Sequence, residues 1–323
     1  MMSRRQILLS SVAAAAFAVT GSAPRSGVLA AFELGGDAHW REAQFEAGPR
    51  DGSIALALGG GAAKGLAHIP VLEAFDEMGI RPRVLAGTSM GALIGACYAS
   101  GMRGREIRLY TADLFKSRIE VLRRIFGGPS TSWFQLLAFT KAAVLEPEAL
   151  FGAALPDTLP GRFEDLSTPF KAIATDFHDQ EQVILDRGPL LPAISASSAL
   201  PVLLKPVELG GRVLIDGGFV NPTPFDILIG SAQFTVAVDV TGKQASPDRA
   251  VPGPLDAWIG AWHIVHRSLV DAKLRHVQPD ILVRPDISAF NSMDFYEIDE
   301  ILAAAEPAKD VIKRRVDALL ADQ

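Results

Sequence analysis

A single cysteine, Cys97, in 323 residues rules out an internal disulfide framework and a cysteine-built metal cage. His, Asp and Glu are not clustered at metal-ligand spacing either, so nothing in the sequence asks for a metal or a cofactor. Charge of one sign is not in large excess: 37 carboxylates against 31 Lys and Arg give a net charge of -6, and no broad positive field draws nucleic acid. After the N-terminal region no apolar run is long enough to cross a bilayer. Repeats, low-complexity tracts and interdomain linkers are also lacking, and the Pro-containing stretch 243–254 reads as a surface loop.

What is present begins with a leader. Arg4 and Arg5 precede the apolar stretch Ile7 to Val19, and small residues follow at Gly21, Ser22 and Ala23, the layout of a signal peptide. The run Ser3-Arg4-Arg5-Gln6-Ile7-Leu8 resembles a twin-arginine signal, which would carry a folded protein across a bacterial inner membrane to the periplasm or beyond. The expected organisation is a signal peptide over 1–30, an N-terminal extension over 31–52 and a single α/β domain over 53–323. About half of the residues are hydrophobic, enough for a large core in that domain.

Ile54-Ala55-Leu56-Ala57-Leu58 is a short apolar run ending in three glycines, a buried strand entering a loop. The spacing of Val71, Leu72, Phe75 and Met78 predicts a helix behind it, with Pro70 in its first turn and Gly79 at its end. Val84-Leu85-Ala86 leads into Gly87-Thr88-Ser89-Met90-Gly91 and a small-residue helix from about Met90 to Ser100, and two successive βα units imply a parallel sheet. Further strands are expected at Phe170–Thr175, Val183–Leu185, Val213–Ile215, Phe234–Val240 and Ile281–Val283. Helices are expected in parts of 105–125, 190–199, 254–276 and 296–320, the last interrupted near Pro307.

Gly87-Thr88-Ser89-Met90-Gly91 fits G-x-S-x-G at the junction of strand and helix. A serine on such a turn exposes its oxygen, and the helix N-terminus favours negative charge beside it; the plain alternative is a glycine-rich βα turn. Upstream, Gly59-Gly60-Gly61-Ala62-Ala63-Lys64-Gly65 could converge backbone N–H groups on an oxyanion, each donor being worth about 3 kcal/mol to a tetrahedral intermediate. A phosphate loop is the rival, but Lys64 is followed by Gly65 rather than Ser or Thr, and Ala62 and Lys64 stand where a dinucleotide loop needs glycine. Asp216, in Ile215-Asp216-Gly217-Gly218, ends an apolar run; it could take a serine proton if burial raises its pKa, or simply begin a tight turn.

In identity and order these three elements resemble the patatin-like phospholipase family, over about residues 54–229. The resemblance implies a three-layer α/β/α fold with a mostly parallel central sheet, and a Ser-Asp dyad without histidine that cleaves acyl esters of phospholipids or related lipids. By position, Ser89 is then the nucleophile and Asp216 the general base. Backbone amides around Gly60, Gly61 and Ala62 are the oxyanion donors, with Gly59, Lys64, Gly65, Gly87, Gly91, Gly217 and Gly218 in support. The chain departs from the family's G-x-G-x-[KR]-G loop at Ala62, which occupies the inner glycine position.

His263, His266 and His276 follow Asp216 in the chain, as the histidine of a Ser-acid-His triad would, but they lie on a predicted helix with Trp258 and Trp262, where packing is the commoner role. His68 is expected to pack or cap the helix that begins near Pro70, and Ser195, Ser197 and Ser198 to shape a loop under the site. Residues 103–145 mix Arg and Lys with Trp133, Phe134 and Phe139; they read equally as a cap on anionic lipid or as a covering helix with a solvated basic face. The functional expectation is a metal-independent, cofactor-free serine hydrolase of lipid esters. A small-ester carboxylesterase and a silent lipid-binding protein of the same fold are the alternatives.

Overall fold

The structure, a computed structural model, describes residues 49–116, 145–242, 251–295 and 297–321. The expected leader, most of the extension, the 117–144 part of the candidate cap and most of the 243–254 loop lie outside the described residues.

In chain order the elements are β1 (Ile54–Leu58), α1 (His68–Glu77), β2 (Val84–Thr88), α2 (Met90–Ala99), α3 (Gly104–Lys116), α4 (Pro147–Ala154), β3 (Phe170–Asp176) and β4 (Gln182–Leu185). They continue with α5 (Leu190–Ser197), β5 (Val207–Leu209), β6 (Arg212–Asp216), β7 (Phe234–Val238), α6 (Pro254–Lys273), β8 (Ile281–Val283), α7 (Ile298–Ala305) and α8 (Pro307–Ala321). The sheet runs β5-β6-β3-β2-β1-β7-β8, with β4 added to β3. Pairs β1–β2, β1–β7, β2–β3 and β7–β8 are parallel; β3–β4, β3–β6 and β5–β6 are antiparallel. The result is an α/β fold with a mixed, mostly parallel sheet flanked by helices.

Alternation along β1 explains how the sheet is covered. Ile54, Leu56 and Leu58 point into the large core, where α1, α2, α7 and α8 deliver Phe75, Ile94, Ile301 and Ile312. Ala55 and Ala57 face the other way, with Ala86 and Ala237, so small side chains bring Phe225 and Leu228 close on that face.

One feature of register builds the site. Residues 172–175 of β3 give one edge to β4, so β2 and β6 must share the other. There β2 pairs with 170–173 and β6, antiparallel, with 174–176, and the C-terminal ends of β2 and β6 meet head to head. Thr88 is opposite Ile173 and Asp216 opposite Ala174, which brings the residues following Thr88 onto Asp216 across more than a hundred positions of chain.

Of the candidate cap, α3 is described, and it behaves as a covering helix. Ile107 and Leu114 are buried, and Arg108 is held by Glu73 at 2.6 Å and Glu306 at 2.9 Å. An arginine bound twice in this way is not a free cation for a lipid headgroup.

Candidate active site

Ser89 sits between β2 and α2 with φ 53° and ψ -124°, a left-handed backbone that a residue with a Cβ adopts only under constraint. The constraint is close packing. A Cβ on Gly87 would lie 2.4 Å from the Gly91 carbonyl oxygen, and one on Gly91 2.2 Å from that of Leu58, so only glycine on both sides of the serine lets α2 start this near β1. The Ser89 N–H donates to Ser197 Oγ at 3.1 Å, and Thr88 Oγ1 donates to the Asn221 carbonyl at 2.8 Å, tying the turn to α5 and to the segment after Asp216. Ser89 is 7% exposed.

Asp216 ends β6 and is fully buried. Its Oδ1 accepts the Gly218 N–H at 2.7 Å, and its Oδ2 has no partner at full hydrogen-bond geometry. Burial pushes the carboxyl up to about 6, against the pull of the Ser89 hydroxyl and the Gly218 N–H, both of which favour its charged form. The Ser89 hydroxyl is near enough to favour the charged carboxylate, yet makes no hydrogen bond of full geometry to Oδ2.

The glycine loop lies directly against the serine, since a Cβ on Gly60 would be 3.2 Å from Ser89 Cβ. Its expected donors are not equivalent. Gly59 N–H donates to Val238 and Gly60 N–H to Pro222 at 2.8 Å, which takes Gly60 off the list of free donors. Ala63 N–H is bound to Ser292, whereas Gly61 and Ala62 N–H have no acceptor among the described residues. Ala62 itself has φ 49°, a second non-glycine residue held in a left-handed conformation beside the first. Lys64 is buried rather than reaching solvent, and burial lowers its pKa, with Asp294 opposing.

Of the three histidines weighed as triad members, His276 is exposed. His266 is fully buried, its ring against Gly218 and 4.1 Å from that of Trp262, but neither ring nitrogen has a hydrogen-bond partner. His263 packs on Trp262 at 4.9 Å, with Nε2 unpartnered. None hydrogen-bonds Ser89 or Asp216, and burial pushes His263 to about 4 and His266 to about 3, leaving both rings neutral near pH 7. Among the described residues no three His, Cys, Asp or Glu side chains converge as a metal site.

An apolar cavity of about 200 Å³, lined almost wholly by carbon, reaches Met90, the residue after the serine. Met90 and Leu66, which follow the serine and the glycine loop, form part of its wall; Leu93, Ile107 and Leu114 also line it, as does the stacked pair Phe115 and Phe295. Cys97 faces it too, its thiol pushed up to about 12 by burial and therefore unreactive. Nothing in the sequence marked this cavity, because α4, which supplies Leu150, Phe151 and Ala154, was not anticipated.

An acceptor-poor pair of N–H groups, a strained serine and a buried carboxyl with one free oxygen can together support addition of the serine to a carbonyl and hold the resulting oxyanion. Residues 56–229 match the family model described as patatin-like phospholipase. An uncharacterized NTE family protein of Mycobacterium tuberculosis is 38% identical over 208 residues, 64% of this chain and 54% of that protein. Human patatin-like phospholipase domain-containing protein 6 is 29% identical over 279 residues, 77% of this chain and 19% of that protein. The chain thus spans about half of the mycobacterial relative and about a fifth of the human one. Among solved structures, VipD from Legionella pneumophila is similar with a TM-score of 0.45 at 13% identity, over 82% of this chain and 66% of that one.

Proposed function

The chain belongs to the patatin-like phospholipase family, and from that premise we propose that it is a serine hydrolase of lipid acyl esters, of phospholipase A or lysophospholipase type. Ser89 Oγ attacks the ester carbonyl as its proton passes to Asp216, and the oxyanion is met by the N–H groups of Gly61 and Ala62. The alcohol leaves with the proton; water, deprotonated by Asp216, then attacks the acyl carbonyl, and Asp216 returns the proton to Ser89 Oγ as the fatty acid departs. With its carboxyl at about 6, Asp216 is ionised near pH 7 yet more basic than an exposed aspartate, which suits both steps. His263 and His266, neutral and unbonded to either residue, take no part.

The observation that carries the lipid part of this reading is the cavity. A small ester has no use for an apolar chamber starting at the residue after the nucleophile, whereas an acyl chain buried there gains about 0.8 kcal/mol per methylene. Basic residues of 103–145 other than Arg108, with Trp133, Phe134 and Phe139, would then hold the protein at the lipid surface, and the N-terminal leader would export it.

Ala154 on the cavity wall gives the test. Ala154→Phe fills the chamber, so kcat/KM for a palmitoyl lysophospholipid should fall about tenfold or more while that for a butyryl ester changes less than about twofold. Equal losses on both esters, or none on either, would point to a general carboxylesterase. Absence of any turnover by the folded wild type would favour a silent lipid-binding protein.

A further inference from the structure

We propose that His68 is a positioning residue for the oxyanion donors: it holds the Gly59–Gly60 peptide so that the next two N–H groups stay free and aimed at the reacting oxygen. The inference rests on the hydrolase reading above.

His68 Nε2 lies 2.7 Å from the Gly59 carbonyl oxygen, a buried contact between residues nine positions apart. A carbonyl can only accept, so Nε2 carries the proton and Nδ1 does not. The other edge of the same peptide unit, the Gly60 N–H, donates to Pro222 at 2.8 Å. One peptide plane is therefore gripped at both ends, by a histidine ahead of it and by the segment that follows Asp216. Of the next two units, whose N–H groups have no acceptor among the described residues, the second is also held through the Gly61 carbonyl, which accepts the Lys64 N–H at 3.1 Å, so it is the orientation of the first, Gly60–Gly61, that depends on the grip. Freed of the grip, the Gly60–Gly61 unit would turn its N–H away from the reacting oxygen, next to Ala62, which the Lys64 N–H to Gly61 and Ala63 N–H to Ser292 bonds keep at φ 49°.

Simple packing does not explain the residue. Nδ1 is buried without a partner, and a leucine or phenylalanine would fill the space without that cost. A neutral ring is also required, and burial supplies it by pushing His68 down to about 4. The grip joins two motifs far apart in sequence: Pro222 belongs to the segment leaving Asp216, and Asn221 next to it receives the Thr88 hydroxyl. Base, nucleophile and oxyanion loop thereby share one hydrogen-bonded frame.

Two variants and one spectrum test this. His68→Leu keeps the bulk and removes the donor; His68→Gln can place an amide N–H where Nε2 stands. In His68→Leu, kcat should fall on the order of 10²-fold with KM within about twofold of wild type, since only the transition state needs the aligned N–H groups. His68→Gln should recover most of that loss. Folded His68→Leu with kcat close to wild type, a loss confined to KM, or a glutamine variant no better than leucine overturns the proposal. Independently of any activity, a long-range 1H–15N spectrum of the Ser89→Ala protein at pH 7 should show His68 neutral and protonated on Nε2. Protonation on Nδ1 overturns the proposal even if neither variant folds. A correct tautomer in a wild type that turns over no ester would leave the grip standing and count against the hydrolase reading instead.

Discussion

Asp216→Asn yields a protein that is more stable than the wild type and catalytically dead. The carboxyl is fully buried with its pKa pushed from an ordinary 3.8 to about 6, so at pH 8 the fold carries a charge it would rather not hold. The sign follows from linkage. A carboxyl whose folded pKa is raised costs nothing below about 3.8, costs increasingly between there and about 6, and costs its full amount above, here about 3 kcal/mol. Asparagine has the same shape, keeps the acceptor for the Gly218 N–H and brings no charge, so most of that cost disappears and the thermal midpoint at pH 8 should rise by several degrees. Without a base the activity should fall on the order of 10³- to 10⁴-fold. Thermal unfolding at pH 8 and at pH 4 separates the effects: the gain should be present at pH 8 and nearly absent at pH 4. Activity kept within about tenfold would remove Asp216 from the chemistry.

Acid should defeat the protein in two distinct ways. The first is catalytic: kcat/KM should rise with pH through one ionisation near 6 as Asp216 loses its proton, and lie about tenfold below its plateau one pH unit lower. A histidine base would give a limb in the same region, but an imidazole ionises with a large enthalpy and a carboxyl with very little. The midpoint should therefore hardly move between 10 and 35 °C, whereas a midpoint that drops steadily on warming belongs to a ring nitrogen. The second is structural. Burial pushes His68 and His263 down to about 4 and His266 to about 3, so these rings stay neutral in the fold and take up protons on unfolding. Their contribution is complete above about 6.5 and is lost as pH falls from there toward their folded values. Asp216 works in the opposite direction between about 3.8 and 6, so these four groups together leave a net uptake of about two protons near pH 5, to which carboxyls held low by partners, such as Glu73 and Asp186, add in the same direction. Unfolding free energy from urea titrations should then drop by about 2 to 3 kcal/mol per pH unit around pH 5. A flat profile from pH 7 to 5 would mean that the three rings are hydrated.

The parts of the fold legible in the sequence were those with local causes. β1 and β2 are apolar runs closed by glycines, and α8 begins at Pro307 where the break was expected. Strands at the positions of β4 and β6 were expected but their antiparallel pairing was not, although Gly210 and Gly211, with φ of 60° and 79°, form the tight hairpin that joins β5 to β6. That pair is a recognisable turn signal; β5, only three residues long and with Glu208 turned outward, is not. α4 escaped notice because its apolar residues face the cavity and only Pro147 is buried. β7 was expected to run to Val240 but ends at Val238, after which Asp239 turns the chain by accepting the Thr241 N–H and hydroxyl.

At the site, Ser89, Asp216 and the glycine loop could be read because each is a short pattern at a strand end. Their supporting contacts could not be. Ser197 meets Ser89 across 108 positions, and Pro222 takes the Gly60 N–H because β2 and β6 abut along one edge of β3. Such pairings follow from sheet register, which no local window contains. His68 was read as a helix-start residue, and it is one, since α1 begins there; its bond to Gly59 appears only once the loop is folded back.

The most direct measurement is covalent. The purified protein is treated with a fluorescent fluorophosphonate, digested, and the modified peptide identified by mass spectrometry, with Ser89→Ala and Asp216→Asn alongside. One adduct is expected, on Ser89, absent from the alanine variant and formed far more slowly in the asparagine variant. An adduct on another residue, or no adduct on folded wild type with and without lipid micelles, would contradict it.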